Sequence, residues 1–448
     1  MFKGKVFPVI MALLLVPALL LACAPAAQSG TVSAGPIVVG YVGQTSSPGV
    51  KPCLDLVKIA VDEINAKGGV SGRPLKFVVE DSKGETSLSA AAMQRLVMSN
   101  RPIMVQIEGR SEIALAVKET SANIFKDYPH ICLINGAADW EVTDKIVSQY
   151  DRYKGFFRDY EFAQYPFFYN FPLTMFDQVM KAKKIAVLYE DFYWTRIYQE
   201  GGGPTGLPSF KDYAASRGFE VVYNKPIKSR SGMWLPTLES IAQAKADVIF
   251  VWSSWFTDTE VLGKQWADSS AKDIQLMVMG GPSNGYSFWN LTGGKCLGMM
   301  SSFWEVPCPI TPEFPPLVKK CRDNNIPLNT HVLLAYNNIY FLKQVLEKVG
   351  KTDDIDAVIK GYETHRYDSP IGPIQFHSEK QEPWFHSGNI ADKKNPLEFS
   401  SPLFLTEYAQ FQGPDKVELI WGSPAADKCK KPENYKTPAQ LRAAAGIK

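Results

Sequence analysis

The sequence predicts an α/β protein made of two doubly wound parallel-sheet units, one after the other. Three observations carry this expectation. Short β-branched runs alternate with helical periodicity through short loops, the pattern of parallel strands covered by helices. The alternation pauses once, in a Phe- and Tyr-dense stretch between Tyr150 and Phe171, and then restarts. Finally, 448 residues at 45% hydrophobic and 21% charged are enough chain for two to three domains with a sizeable core.

Ile37 to Val42 is a β-branched run and reads as a buried strand, followed by a Gly/Ser/Pro loop from Gly43 to Gly49. Pro52 opens a helix whose Leu54, Val57, Val61 and Ile64 recur at helical spacing, and Gly68-Gly69 stops it. Leu75 to Val79 is the second strand. Thr86 to Ser99 is the next helix, with Leu88, Ala91, Leu96 and Met98 among its apolar residues. Strand Ile103–Ile107, helix Glu112–Thr120 and strand Ile131–Ile134 complete the first unit. After the pause, strands are expected at Lys184–Tyr189, Phe219–Tyr223, Val248–Trp252, Leu276–Met279 and Met299–Trp304. Helices Leu235–Lys245 and Glu260–Asp268 lie between them, and a helix Leu333–Val349 returns later. Leu403–Tyr408 and Lys416–Trp421 are strand-like. There is no short-period repeat.

The N-terminus carries its own signal. Lys3 and Lys5 precede an apolar run from Val6 to Leu21, broken by Pro8 and Pro17, which reads as a secretory signal and not a spanning helix. Leu20-Leu21-Ala22-Cys23 resembles a bacterial lipobox, in which Cys23 is acylated and becomes the first mature residue. The alternative is a plain signal peptide cut near Ala26 or Ala27. With a lipid on Cys23, residues 24–35 are a small, polar tether to the membrane surface. Six cysteines remain, Cys53, Cys132, Cys296, Cys308, Cys321 and Cys429, and an exported chain permits disulfides among their fifteen complete pairings. Cys308 and Cys321 are near enough in sequence to clip the Pro-rich segment between them.

Forty-eight Lys and Arg against 46 Asp and Glu give a net charge of +2 without a basic stripe, which argues against a nucleic-acid partner. No CxxC pair occurs and the five histidines do not cluster with the cysteines, so no metal and no cofactor are expected. GxSxG, GxxxxGK[ST] and HExxH are all missing. Gly201-Gly202-Gly203-Pro204 lacks the spacing of a dinucleotide loop, and Glu80-Asp81 and Asp353-Asp354 are adjacent carboxylates facing different ways. An enzyme is not expected.

The stretch Ala60-Val61-Asp62-Glu63-Ile64-Asn65-Ala66-Lys67-Gly68-Gly69-Val70-Ser71-Gly72-Arg73-Pro74-Leu75, followed by Val79-Glu80-Asp81, resembles the leucine/isoleucine/valine-binding type of periplasmic solute receptor. That family writes a helix ending in EIN-GG--G and then L-V-ED, and its rhythm continues more weakly to Trp421. The resemblance implies a type I periplasmic binding fold, two lobes joined by a three-strand hinge, and the role of substrate-binding subunit of an ABC importer. Permease and ATPase subunits would be its partners, a small-molecule solute its ligand, and the bacterial cell envelope its location, as a monomer. On this basis the lobes comprise 36–168 with 304–369 and 169–303 with 370–448. The crossings are expected near Phe167 to Phe171, Ser302 to Glu305 and Ser369 to Gln375.

The resemblance also implies where ligand is held, namely on loops that follow strands. After the first strand these are Thr45, Ser46 and Ser47, with a solvated turn as the alternative. After the third come Arg110 and Ser111: Ser111 would offer a hydroxyl and N–H to a carboxylate, and Arg110 either a bidentate anion contact or a surface salt bridge. After the fourth come Ala137, Ala138 and Asp139, the last standing where amino-acid binders use Ser or Thr. In the second unit, Tyr193 aligns with a ligand-contacting tyrosine, Trp194 replaces a glycine, and Trp252 and Trp255 flank the cleft wall. Pro282 and Ser283 stand where amino-acid receptors place a carboxylate for the α-ammonium, and Trp304 closes one end. Core packing is the alternative for each tryptophan. Two of three zwitterion anchors are therefore altered, which points away from a standard branched-chain amino acid and toward an aromatic or amide solute. A branched-chain receptor with Asp139 as the ammonium anchor, a ligand sensor signalling to a membrane kinase or chemoreceptor, and a lipoprotein that has lost its ligand remain the other readings.

Overall fold

In a computed structural model of the chain, the described residues are 35–159, 169–203, 206–305, 308–376, 385–388, 407–422 and 426–447. The leader with Cys23, residues 160–168 of the aromatic stretch, and residues 403–406 of one expected strand lie outside them.

Five strands make the first sheet: β1 (Ile37–Gly43), β2 (Leu75–Asp81), β3 (Met104–Glu108), β4 (Ile131–Asn135) and β5 (Phe156–Arg158). Their order is β2-β1-β3-β4-β5, every pair parallel. Side chains alternate between the faces of a strand, and that alternation sorts the core. Val39, Tyr41, Met104 and Leu133 pack into one apolar cluster with Leu56, Val57 and Ala60 of helix Lys51–Ala66. Val42, Val105, Ile107, Cys132 and Ile134 pack on the opposite face with residues of helices Thr86–Asn100 and Ser111–Ile124. The long helix Thr330–Val349 returns to the first sheet: Gln106 Nε2 donates to Ala335 O at 3.2 Å, and Ala335, Ile339 and Leu342 join the first cluster.

The second sheet contains β6 (Lys184–Glu190), β7 (Glu220–Ile227), β8 (Val248–Trp252), β9 (Gln275–Met279) and β10 (Met300–Ser302). A two-stranded hairpin, β11 (Tyr367–Ser369) with β12 (Gly372–Ile374), precedes β13 (Glu407–Gly413) and β14 (Lys416–Gly422). The second sheet has the order β14-β13-β10-β9-β8-β6-β7. It is not wholly parallel, because β13 runs antiparallel to β10 and to β14. The β13–β14 turn is a short hairpin, which only antiparallel neighbours allow. Strand β7 reaches Ile227, past the expected Tyr223, and accommodates Pro226 because it is an edge strand whose N–H is not needed for a second neighbour.

Cys308 pairs with Cys429, Cα atoms 5.9 Å apart, and not with Cys321, which is a buried free thiol along with Cys53, Cys132 and Cys296. Cys321 faces inward from helix Phe314–Asp323 into the first apolar cluster, so it is out of reach of Cys308 in the separate cluster with Leu419 and Ala426. The long helix also starts three residues before its expected first residue, because Asn329 Oδ1 accepts from Val332 N at 3.0 Å and caps it.

Candidate functional site

The carboxyl ends of both sheets open onto one cavity of about 180 Å³. That is well below the roughly 300–1,000 Å³ of clefts for drug-sized ligands, so its occupant is small. From the first sheet's side come Ser47, Glu108, Arg110, Ser111, Ala137 and Ala138, and from the second Trp194, Ser254, Trp255, Phe256, Asn284 and Trp304. The start of the long helix adds Asn329, Thr330 and His331.

The loop after β1 turns tightly. Ser47 N donates to Gln44 O at 2.9 Å, Gly49 N to Ser47 Oγ at 3.2 Å, and Ser47 O accepts from Val50 N and Lys51 N as the helix begins. Ser47 lines the cavity and Ser46 does not. Across the cavity from this loop stands Trp255, so close that a Cβ on Gly49 would fall 2.6 Å from the indole Cγ.

After β3, Arg110 precedes the first residue of helix Ser111–Ile124. Its guanidinium carbon lies 4.9 Å from the Phe192 ring centroid and 5.2 Å from that of Phe256, both on loops of the second sheet. Nε pairs with Glu112 Oε1 at 3.2 Å in an ion pair without hydrogen-bond geometry, and the terminal nitrogens have no hydrogen-bond partner among the described residues. A cation and a helix N-terminus thus converge on the cavity, the arrangement that favours an anion. Ser111 Oγ accepts from Asp139 N at 3.1 Å, so it already ties the two loops together.

The loop after β4 is shaped from behind by Arg158, which sequence reasoning did not single out. Fully buried, Arg158 donates to Ala137 O and Asp139 O, to Thr143 Oγ1 at 2.8 Å and to Ser387 Oγ at 3.1 Å. Ala137 is thereby held at φ 62°, a left-handed conformation rare for alanine. Asp139 does not line the cavity. Its Oδ1 accepts from Glu141 N at 2.9 Å and caps a 3-10 turn, while Oδ2 lies 3.8 Å from Arg196. Burial pushes its carboxyl up to about 6 against the pull of the Glu141 amide and of Arg196 and Arg158.

Tyr193 also stands back from the cavity. Its hydroxyl donates to Glu141 Oε2 at 2.6 Å, and Arg196 Nη2 reaches Glu141 Oε1 and the Tyr193 oxygen, both at 3.0 Å. This clasp joins the loop after β4 to the loop after β6. Burial acts to raise the Glu141 carboxyl, but the Tyr193 and Arg196 contacts outweigh it and hold it below its ordinary value.

Trp252 is not on the cleft wall. It is the last residue of β8, wholly buried, and shares a strand face with Val248 and Phe250, so it enters the core against Phe210, ring centroids 5.0 Å apart. Trp255, three residues on in the loop, has no such constraint. That loop is held by Glu190 at the end of β6. Its Oε1 accepts from Ser254 N and Oγ, each at 2.9 Å, and from Thr257 Oγ1, and its Oε2 from Trp194 Nε1 at 3.2 Å. Burial raises the Glu190 carboxyl despite these four donors. After β9, neither Pro282 nor Ser283 lines the cavity; Ser283 is buried with its Oγ donating to Gly280 O at 2.9 Å, and it is Asn284 that borders the cavity.

His331 comes from 220 residues downstream of Ser111 with no local motif to announce it. Its Nδ1 lies 2.6 Å from Glu108 Oε1, and Gly136 leaves it room, since a Cβ there would meet His331 Cε1 at 2.8 Å. Burial works to lower the imidazole, but Glu108 and Asp159 outweigh it and raise it above its ordinary value. Glu108, the only carboxylate among the described lining residues, is thus already engaged, and Tyr41 OH reaches its other oxygen at 3.5 Å.

A sequence profile described as Periplasmic binding protein matches residues 36–387. The chain is 22% identical over 370 residues to Leu/Ile/Val-binding protein homolog 3 of Brucella melitensis, covering 80% of this chain and 92% of that protein. Among solved structures it is similar to a solute-binding protein of an ABC transporter from R. palustris in complex with 4-hydroxybenzoate, at a TM-score of 0.64 and 19% identity, covering 86% and 96% of the two chains. A branched-chain amino acid transporter substrate-binding protein of Streptococcus pneumoniae in complex with isoleucine matches at 0.60 and 15%, covering 87% and 99%.

Proposed function

The chain belongs to the periplasmic binding protein family, and on that premise we propose that it is the substrate-binding protein of an ABC transporter and that its solute is a small aromatic carboxylate. The observation that carries this reading is Arg110, whose terminal nitrogens are open in a cavity walled by Trp194, Trp255, Phe256 and Trp304. A carboxylate meets the guanidinium and the N-terminus of helix Ser111–Ile124, while a flat ring stacks in the aromatic wall. An α-ammonium has to compete with His331 for Glu108, a partner 2.6 Å away, which disfavours an amino acid. A structural relative that holds 4-hydroxybenzoate supports the same ligand class.

In this reading the solute bridges the loops of both sheets, and the permease reads the resulting closure. The lobes divide as 36–168 with 304–369 and 169–303 with the remainder of the chain. The expected last segment, 370–448, is corrected for residues 370–376 and 385–388, which go with the first lobe: Arg158 N of β5 donates to His386 O at 3.0 Å, and Phe376 packs 5.3 Å from Phe157. Ser47, Arg110, Ser111, Ala137, Ala138, Trp255 and Trp304 contact the solute. Cys23 carries the lipid that keeps a monomeric receptor at the membrane, and no catalytic step or cofactor is involved. Calorimetric titration with benzoate, 4-hydroxybenzoate, leucine and isoleucine tests it. One-to-one binding of the ring acids is expected, and binding of leucine with the ring acids silent would overturn the reading.

A further inference from the structure

Besides Arg110, the cavity wall carries one pair of ionisable groups. Glu108, the last residue of β3, and His331, the second residue of helix Thr330–Val349, both line it. Nδ1 of the imidazole lies 2.6 Å from Glu108 Oε1, and the Glu108 side chain is 11% exposed. Asn135 Nδ2 donates to the His331 carbonyl at 2.9 Å and steadies the helix start behind the ring. Strand and helix both belong to the first sheet's side, so the pair is in place before the loops of the second sheet close over a solute.

A carboxylate offers about four lone-pair sites. His331 occupies one, and the other hydrogen bond to Glu108 among the described residues is the long one from Tyr41 OH, 3.5 Å from Oε2. Acceptor capacity therefore remains on a residue that lines the cavity. The charge, by contrast, is matched: burial works against a charged imidazole, but Glu108 and Asp159 outweigh it, which draws the pair toward zero net charge. Such a pair suits a hydroxyl better than an ammonium. A hydroxyl needs an acceptor and no counter-ion, whereas an ammonium would be desolvated opposite a carboxylate that already has its cation. A buried ion pair often stabilises a fold no more than apolar residues of the same size, so its place in a solute cavity is better explained by recognition.

We propose that Glu108 is a specificity-determining residue that accepts a hydrogen bond from a hydroxyl on the solute, with His331 as the positioning residue that fixes the carboxylate and balances its charge. The proposal rests on the aromatic-carboxylate reading and narrows it to ring acids that carry a hydroxyl.

The test is calorimetry of the full chain with 3- and 4-hydroxybenzoate, each against the fluorobenzoate substituted at the same position, because fluorine is close to a hydroxyl in size and cannot donate. In the wild type at least one hydroxy acid should bind about tenfold more tightly than its fluoro counterpart. Glu108→Gln, a weaker acceptor, should shrink that ratio to about threefold, and Glu108→Met, of similar length with only a thioether, to about one. Damage to the cavity would weaken both acids, whereas loss of the acceptor changes their ratio. His331→Gln keeps a donor for Glu108 and removes the positive charge, so it should favour 4-(aminomethyl)benzoate over 4-hydroxybenzoate by about tenfold relative to wild type. An unmoved preference would overturn the charge-balancing role of His331. A wild-type ratio near one, a ratio unchanged in both Glu108 variants, or a wild type that prefers 4-(aminomethyl)benzoate would overturn the role of Glu108 while the functional reading stands, because ring acids still bind. If no ring acid binds the wild type, both are overturned.

Discussion

Gly49 and Trp255 are in direct contact across the cleft: a Cβ built on Gly49 lies 2.6 Å from the indole Cγ and 2.8 Å from Cδ1. A loop of the first sheet and a loop of the second can approach this closely only because one of them has no side chain. Gly49→Ala should therefore wedge the cleft. Overpacking of about 1–3 kcal/mol falls on the closed arrangement alone, so affinity should drop about tenfold or more while the melting temperature without ligand stays put. Small-angle scattering with saturating ligand checks it: the variant should remain more open than wild type, and equal radii would remove Gly49 from the closure.

Arg110 is expected to discriminate by charge. Arg110→Gln removes the cation and leaves a shorter, neutral amide donor, so carboxylates should bind roughly a hundredfold more weakly while their methyl esters change little. Affinities that fall alike for acid and ester would assign Arg110 to packing against Phe192 and Phe256.

Asp139 gives a pH dependence with a definite sign. Burial raises its carboxyl to about 6, above its ordinary value of 3.8, so the folded protein holds the proton more firmly than the unfolded chain. Its ionisation therefore costs stability as pH rises from about 4 through 6. Asp139→Asn keeps an acceptor for Glu141 N and removes the charge. It should stabilise the protein at pH 7.5 by roughly 1–3 kcal/mol and make no difference below pH 4. Urea titrations at both pH values decide, and a gain that does not depend on pH would show that ionisation is not its source.

The Cys308–Cys429 bridge closes a loop of sequence separation 121. Loop-closure entropy for that length is worth about 3–5 kcal/mol, so a reductant should lower the melting temperature of the wild type and leave Cys308→Ser unaffected. A wild type insensitive to reductant would mean the bridge contributes nothing.

How far the sequence could be read depends on the residue. The loops after β1, β3 and β4 were legible because strands end where hydrophobic alternation ends, and Ser47, Arg110, Ser111, Ala137 and Ala138 do face the cavity. Trp252 was misplaced by one step of the same alternation: it still belongs to β8 and faces the core, and Trp255 lies beyond it. Ser283 and Asn284 differ by one position on a 3-10 turn, where only the direction of each side chain separates a buried hydroxyl from a cavity amide. Asn329 and His331 carried no local signal, because a helix cap and one histidine look ordinary until the fold returns them to Glu108.

By itself the sequence determined the alternation of strands and helices, and with it a pair of covered sheets whose loops meet at their carboxyl ends, because backbone periodicity is a local property of side-chain order. Tertiary structure alone decided the antiparallel β13 and β14, the Cys308–Cys429 pairing, the withdrawal of Asp139 and Tyr193 into a clasp, and the arrival of Asn284 and His331 at the cavity. Those outcomes depend on contacts between residues tens to hundreds of positions apart, where the winning partner is set by packing geometry and by which buried polar groups must be satisfied.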